Sequence, residues 1–158
     1  LMGSATVAEK NDAIGKPISE VLAPYSFVFS DMDGNEVRLE DIHDRTIFLN
    51  FWGTYCKPCI SELQSINECR RMLGDTEIEF ILVSEERKDK IKAFKKKNPQ
   101  YNSFTYLQSP DLYYDYGVEA IPHTYIVQHG FVVTTFRGTY DWTAQDKVAI
   151  LKAFAKQL

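Results

Sequence analysis

The stretch Ile47-Phe48-Leu49-Asn50-Phe51-Trp52-Gly53-Thr54-Tyr55-Cys56-Lys57-Pro58-Cys59 joins an apolar run to two cysteines separated by two residues. The apolar run reads as a buried strand and residues 53–55 as a tight turn. From about Lys57 the pattern is helical: Leu63, Ile66 and Leu73 fall on one face, and Gly74 stops the helix. A Cys-x-x-Cys in the first turn of a helix places both sulfurs on the same side, within the Cα separation of about 4.4–6.8 Å that a disulfide needs. Unpaired backbone N–H groups and the positive end of the helix dipole favour an anion at Cys56, so its thiol is expected to ionise more readily than a free cysteine. Pro58 suits this position because its missing N–H has no helical partner there.

These residues resemble the active-site stretch of the thioredoxin superfamily. Phe51-Trp52-Gly53-Thr54-Tyr55-Cys56-Lys57-Pro58-Cys59, with Glu62 three residues on, is similar to the TlpA/ResA-type extracytoplasmic thiol:disulfide oxidoreductases. The resemblance extends from roughly Ile18 to the C-terminus. It implies that Cys56 is the attacking sulfur and that Cys59 resolves the mixed disulfide. It also implies that Glu62 lies near the sulfurs and influences their protonation. The run Tyr116-Gly117-Val118-Glu119-Ala120-Ile121-Pro122-His123-Thr124-Tyr125-Ile126 resembles the superfamily's cis-proline segment, which lies beside the cysteine pair. X-Pro is the bond at which cis costs least, and an unpaired Ile121 backbone there can accept an extended client chain. Trp52, Tyr55, Ile121 and Pro122 are the residues the resemblance assigns to client binding. It further implies protein disulfides as clients, a membrane-borne thiol electron donor, an extracytoplasmic setting, and no metal or organic cofactor.

Composition is compatible with that. A chain of 158 residues is expected to form one domain that buries about 68–70% of its unfolded surface without staples. Three cysteines make no even framework, and a close pair with one left over favours redox chemistry over scaffolding. A net charge of −4 gives no electrostatic reason to expect nucleic acid or an anionic membrane as partner. No apolar run approaches a membrane span of about 18 residues, and no signal peptide is visible. Leu1-Met2-Gly3-Ser4 reads partly as a cloning remnant, so a signal or anchor is expected to have been removed ahead of it.

Residues 1–17 are polar without periodicity and read as a flexible tail, with the folded domain over 18–158. Tyr25–Ser30 and Glu36–Leu39 flank the turn chemistry of Asp31-Met32-Asp33-Gly34-Asn35, an N-terminal β-hairpin signal, and Leu39–Ile42 reads as a 3₁₀ piece. Further strands are expected at Thr46–Phe51, Glu77–Val83, Phe104–Gln108, His123–Gln128 and Phe131–Arg137. Helices are expected at about Arg87–Lys97, Asp111–Tyr116 and Thr143–Gln157. Lys95-Lys96-Lys97 reads as a solvated last turn that complements the helix dipole. Strands alternating with helices and closing in a hairpin imply an α/β class, a thioredoxin-like three-layer sandwich with a mixed central sheet and helices on both faces.

Other readings of the cysteines fit less well. A zinc site lacks further ligands at regular spacing, and His43, His123 and His129 match no metal or Cys-His pattern. Haem attachment would need His where Ile60 stands, and a disulfide closing so short a loop would add little stability. Cys69 is ten residues beyond Cys59, roughly 15 Å along a helix rising about 1.5 Å per residue, and reads as a small buried hydrophobe. Asn50 stands where classical thioredoxin has a buried Asp, so any assisted proton transfer falls to Glu62 or water. A peroxiredoxin expects Thr where Gly53 stands. A disulfide oxidant or isomerase, and a peptide-binding module without turnover, remain the alternatives to a reductant.

Overall fold

The structure, a computed structural model, describes residues 13–21 and 29–156. Among the described residues eight strands form one mixed sheet: β1 (Lys16–Pro17), β2 (Phe29–Asp31), β3 (Glu36–Val37), β4 (Thr46–Phe51), β5 (Ile78–Ser84), β6 (Thr105–Gln108), β7 (His123–Gln128) and β8 (Phe131–Arg137). Their order is β1-β8-β7-β4-β5-β6-β2-β3. β4, β5 and β6 run parallel, and the other pairings are antiparallel. The helices are α1 (Ile18–Val21), α2 (Lys57–Leu73), α3 (Lys88–Lys97) and α4 (Gln145–Lys156).

The alternation of side chains along the central strands divides the core in two. Phe48 of β4 and Phe80 and Leu82 of β5 face a cluster built with Leu63, Ile66, Cys69 and Leu73 of α2, Ile91 of α3 and Val148 and Leu151 of α4. Ile47, Leu49 and Phe51 of β4 and Ile81 and Val83 of β5 face the opposite way. They are covered by Ile18 of α1, Leu39 of one 3₁₀ turn and Tyr113 and Tyr116 of another. Helices therefore lie on both faces, but all three long ones share one face, and the other is roofed by short pieces.

The hairpin signal is realised by β2 and β3. Asp31 Oδ1 accepts from the backbone N–H groups of Asp33 and Asn35, each at 2.9 Å, and Gly34 turns the chain at φ +89°. The expected strand start at Tyr25 lies outside the described residues, as do residues 1–12 of the expected tail. Residues 16 and 17, which polarity assigns to that tail, are instead strand β1. Lys16 pairs with Val132 and Pro17 with Phe131, and the adjacent Ile18 is buried. Backbone pairing of two residues needs no apolar pattern, so the sequence gives no sign of it. The closing helix begins two residues later than expected because Asp141 Oδ1 accepts from both the N–H (3.0 Å) and the hydroxyl (2.5 Å) of Thr143, holding a turn there.

Candidate active site

The cysteines sit where β4 hands over to α2. Phe51 is the last residue of β4, and Cys56 caps α2. The Cys56 carbonyl accepts the first helical bond from Ile60 N–H at 3.1 Å, and its sulfur accepts from Cys59 N–H at 3.3 Å. Pro58 lies in the first turn. At the far end Gly74, at φ +66°, gives its N–H to Arg70 and Arg71 carbonyls. Cys56 and Cys59 form a disulfide with Cα atoms 5.2 Å apart. Cys56 retains 9% of its surface in solvent and Cys59 only 1%, so attack from outside reaches Cys56 first.

Glu62 is a buried carboxyl. One helical turn beyond Cys59, it points into the cluster beneath α2 and is 1% exposed. Its Oε2 accepts from Tyr140 N–H at 3.0 Å and from the Trp142 indole at 2.9 Å, and its Oε1 from the Asn50 amide at 3.4 Å. Burial pushes the carboxyl above the ordinary Glu range, and those three bonds pull back against it. Asn50 also donates to Thr124 Oγ1 at 2.9 Å, while Asn50 Oδ1 and Trp52 Nε1 are buried without a hydrogen-bond partner among the described residues.

Pro122 is at the same end of the central strands. The register places Phe51 opposite His123, so the residue before β7 lies beside the Trp52 end of β4. The Ile121–Pro122 bond is cis, and the Pro122 carbonyl accepts from Gly138 N–H at 2.9 Å. Ile121 is half-buried against both core clusters. Tyr55, at 63% exposure, is the large apolar surface beside Cys56. Its ring lies over Gly53, where a Cβ would stand 2.6 Å from Tyr55 Cε1.

Trp52 corrects the sequence expectation. It has no exposed surface and packs at 4.8 Å from Phe94 and 6.1 Å from Tyr106, ring centre to ring centre. Placed next to the cysteines in sequence, it nonetheless faces inward, with α3 laid over it, and so offers nothing for a client to touch. Cys69 is buried, and burial pushes its thiol up to about 11. His123 is buried with Nε2 2.7 Å from Thr135 Oγ1, and burial, reinforced by Arg137, brings it down to about 4. Among the described residues no three His, Cys, Asp or Glu side chains gather as a metal ion would need, and no helix is long and apolar enough to cross a membrane.

The sequence reading missed Tyr140 and Trp142, the donors that hold Glu62. They are 78 and 80 residues downstream and carry no motif. It also missed Glu86 and Tyr113. Glu86 accepts from Thr54, and the Tyr113 hydroxyl donates to the Trp52 carbonyl, again with no local signal.

Comparison with known proteins fits this geometry. The chain is similar to the thiol-disulfide oxidoreductase ResA of Bacillus thuringiensis subsp. konkukian, with 29% identity over 115 residues, covering 72% of this chain and 66% of that protein. It is 32% identical over the same length and coverage to the ResA of Geobacillus thermodenitrificans. The chain thus spans 66% of the length of these relatives. In fold it resembles the solution structure of a thiol:disulfide interchange protein from a Bacteroides species, with a TM-score of 0.67, 21% identity and 91% of each chain covered. The AhpC/TSA family description matches residues 14–135, well over half of the sequence. The chain belongs to the AhpC/TSA family of thioredoxin-fold proteins.

Proposed function

We propose that the protein is a thiol:disulfide oxidoreductase that reduces protein disulfides through Cys56 and Cys59. The observation that carries this reading is a disulfide closed at the N-terminus of α2, with Cys56 the more exposed sulfur and a buried carboxyl one turn below Cys59. In the reduced protein the Cys56 thiolate attacks a client sulfur. The Cys56–client bond forms, the client disulfide breaks, and the first client sulfur leaves and takes up a proton. The Cys59 thiol then passes its proton to Glu62, directly or through water, and attacks Cys56 Sγ. This forms the Cys56–Cys59 bond and expels the second client sulfur as a thiolate, which takes up a proton from solvent as Glu62 returns the Cys59 proton to solvent. The client gains two electrons and two protons, and the protein dithiol is oxidised.

Tyr55 and Ile121 form the client-facing rim in this reading, Tyr55 through its exposed ring and Ile121 through its backbone, with Pro122, itself buried, behind that backbone. The cycle calls for no metal or organic cofactor. An extracytoplasmic setting with a membrane-borne thiol donor follows from the same resemblance that assigns the cysteines. The test is insulin-disulfide reduction by the wild type and by Cys56→Ser. Loss of reduction in the variant supports the assignment, and persistent reduction overturns it. The reduction potential sets direction: about −270 mV fits a reductant, and about −120 mV an oxidant.

A further inference from the structure

The active-site loop is held from outside its own segment. Glu86, just past the end of β5, is half-buried and turns its carboxylate onto Thr54. Oε1 accepts from Thr54 N–H at 2.7 Å and from Ser84 Oγ at 2.9 Å, and Oε2 accepts from Thr54 Oγ1 at 2.6 Å. Glu86 is itself fixed by its N–H to Ser84 Oγ (3.1 Å) and by its carbonyl, which accepts from Gln108 of β6 (3.1 Å). Two residues before Thr54, the Trp52 carbonyl accepts from Tyr113 OH, and that hydroxyl in turn accepts from Glu85 N–H at 3.1 Å. Both sides of Gly53 are therefore pinned to the end of β5. The next turn follows directly, since Cys56 N–H bonds the Gly53 carbonyl at 3.1 Å.

We propose that Glu86 is a positioning residue for the Cys56 reaction, a carboxylate clamp that fixes the Gly53–Tyr55 loop and hence the direction from which Cys56 meets an incoming disulfide. The inference rests on the oxidoreductase reading above. Charge-assisted bonds of this length are the strong class, and two of them converge on one residue, so the loop is pre-set before a client arrives. A carboxylate also adds negative charge near the site, raising the Tyr55 phenol after the larger effects of its partial burial and of Glu85. Position and charge are thus separate contributions, and one substitution separates them.

Glu86→Gln removes the charge and keeps the clamp. The amide oxygen replaces Oε1, accepting from Thr54 N–H and Ser84, while the amide nitrogen replaces Oε2 and donates to Thr54 Oγ1 once that hydroxyl rotates. Glu86→Ala removes both. The measurements are kcat/KM for insulin-disulfide reduction, the Cys56 thiol midpoint from ultraviolet thiolate absorbance, and Tm. The thiol midpoint is expected to move alike in the two variants, because both lose the same charge. The rate is expected to stay within about threefold of wild type for Gln and to fall about tenfold for Ala, since ångström misplacement of a reacting group costs up to about 10²-fold. Equal rates for Gln and Ala overturn the clamp while leaving the oxidoreductase reading intact, and a wild type inert toward insulin overturns both. Thr54→Val, which deletes the hydroxyl arm alone, serves if Glu86→Ala does not fold. A loss intermediate between wild type and about tenfold supports the clamp, and a wild-type rate overturns it.

Discussion

Replacing Glu62 by Gln and by Ala separates holding the structure from moving a proton. In Glu62→Ala the Tyr140 N–H and the Trp142 indole N–H lose their shared acceptor inside the core. At about 1–3 kcal/mol for each buried unsatisfied donor, the loss is about 2–6 kcal/mol before any cavity is counted. Gln keeps both bonds with its amide oxygen. Its NH₂ then meets Asn50 where Oε1 was, and Asn50 answers by rotating its amide, so that Oδ1, which lacks a partner in the present arrangement, becomes the acceptor. The same rotation moves the Asn50 NH₂ off Thr124 Oγ1 into the buried place where Oδ1 had no partner, so Glu62→Gln is expected to cost about 1–3 kcal/mol at neutral pH, less than Glu62→Ala. Its chemistry changes more. With no group to take the Cys59 proton, the resolving step is expected to slow about 10²-fold, the lower end for a positioned acid–base group. The assay is rapid-quench alkylation of the mixed disulfide with insulin across pH, beside urea unfolding. Stability carries its own signature. Burial raises the Glu62 carboxyl in the folded state, so between the unfolded value of about 4.3 and the folded one the native protein binds more protons than the unfolded chain. Wild-type stability then falls as pH rises through that window, and the Gln variant lacks that fall. A Gln variant with both the wild-type pH–rate profile and the wild-type pH–stability curve would refute the assignment of Glu62.

Cys69, with its thiol near 11, is about one part in a thousand thiolate at pH 8, so a disulfide reagent added to the reduced protein should titrate two thiols in the native state and the third only after denaturation. His123 works in the opposite sense to Glu62. Its folded value of about 4 lies below the unfolded 6.5, so its contribution of about 3 kcal/mol is full above pH 6.5 and lost as pH falls toward 4; urea unfolding of His123→Gln should show a flatter acid limb. Asn50→Asp sets a second carboxyl within hydrogen-bond reach of Glu62, and its pH–rate profile is expected to show two coupled steps where the wild type shows one. Gly53→Ala drives the exposed Tyr55 ring aside without touching the core, so KM for insulin should rise while Tm holds.

Much of the site was legible because its chemistry is local. Cys56, Cys59 and Glu62 recur at three-residue intervals from one helix start, and that spacing alone sets each beside the next. β4, α2 and the β7–β8 hairpin announce themselves by period and by the His129–Gly130 turn, where both residues take positive φ. What was not legible depends on pairs distant in sequence. The burial of Glu62 needs Trp142, the pinning of the loop needs Glu86 and Tyr113, and the inward turn of Trp52 needs α3 laid over it. Strand β1 escaped notice for a related reason, being made of backbone bonds that leave no side-chain period.

The unequal roofing of the sheet bears on where the molecule breathes. Opening is expected first on the face covered by short pieces, because a four-residue helix and two 3₁₀ turns are held by far fewer helical backbone bonds than the long helices opposite. Tyr113 belongs to that roof and also holds the Trp52 carbonyl. Each excursion of the Tyr113–Tyr116 turn therefore releases one of the two pins beside Gly53, while the Glu86 pin stays. Amide exchange at Gly53 should track that of the Tyr113–Tyr116 turn and not that of α2, while Thr54, its N–H held by Glu86, stays protected, so the mobility of the Trp52–Gly53 side of the loop is set from the far side of the sheet.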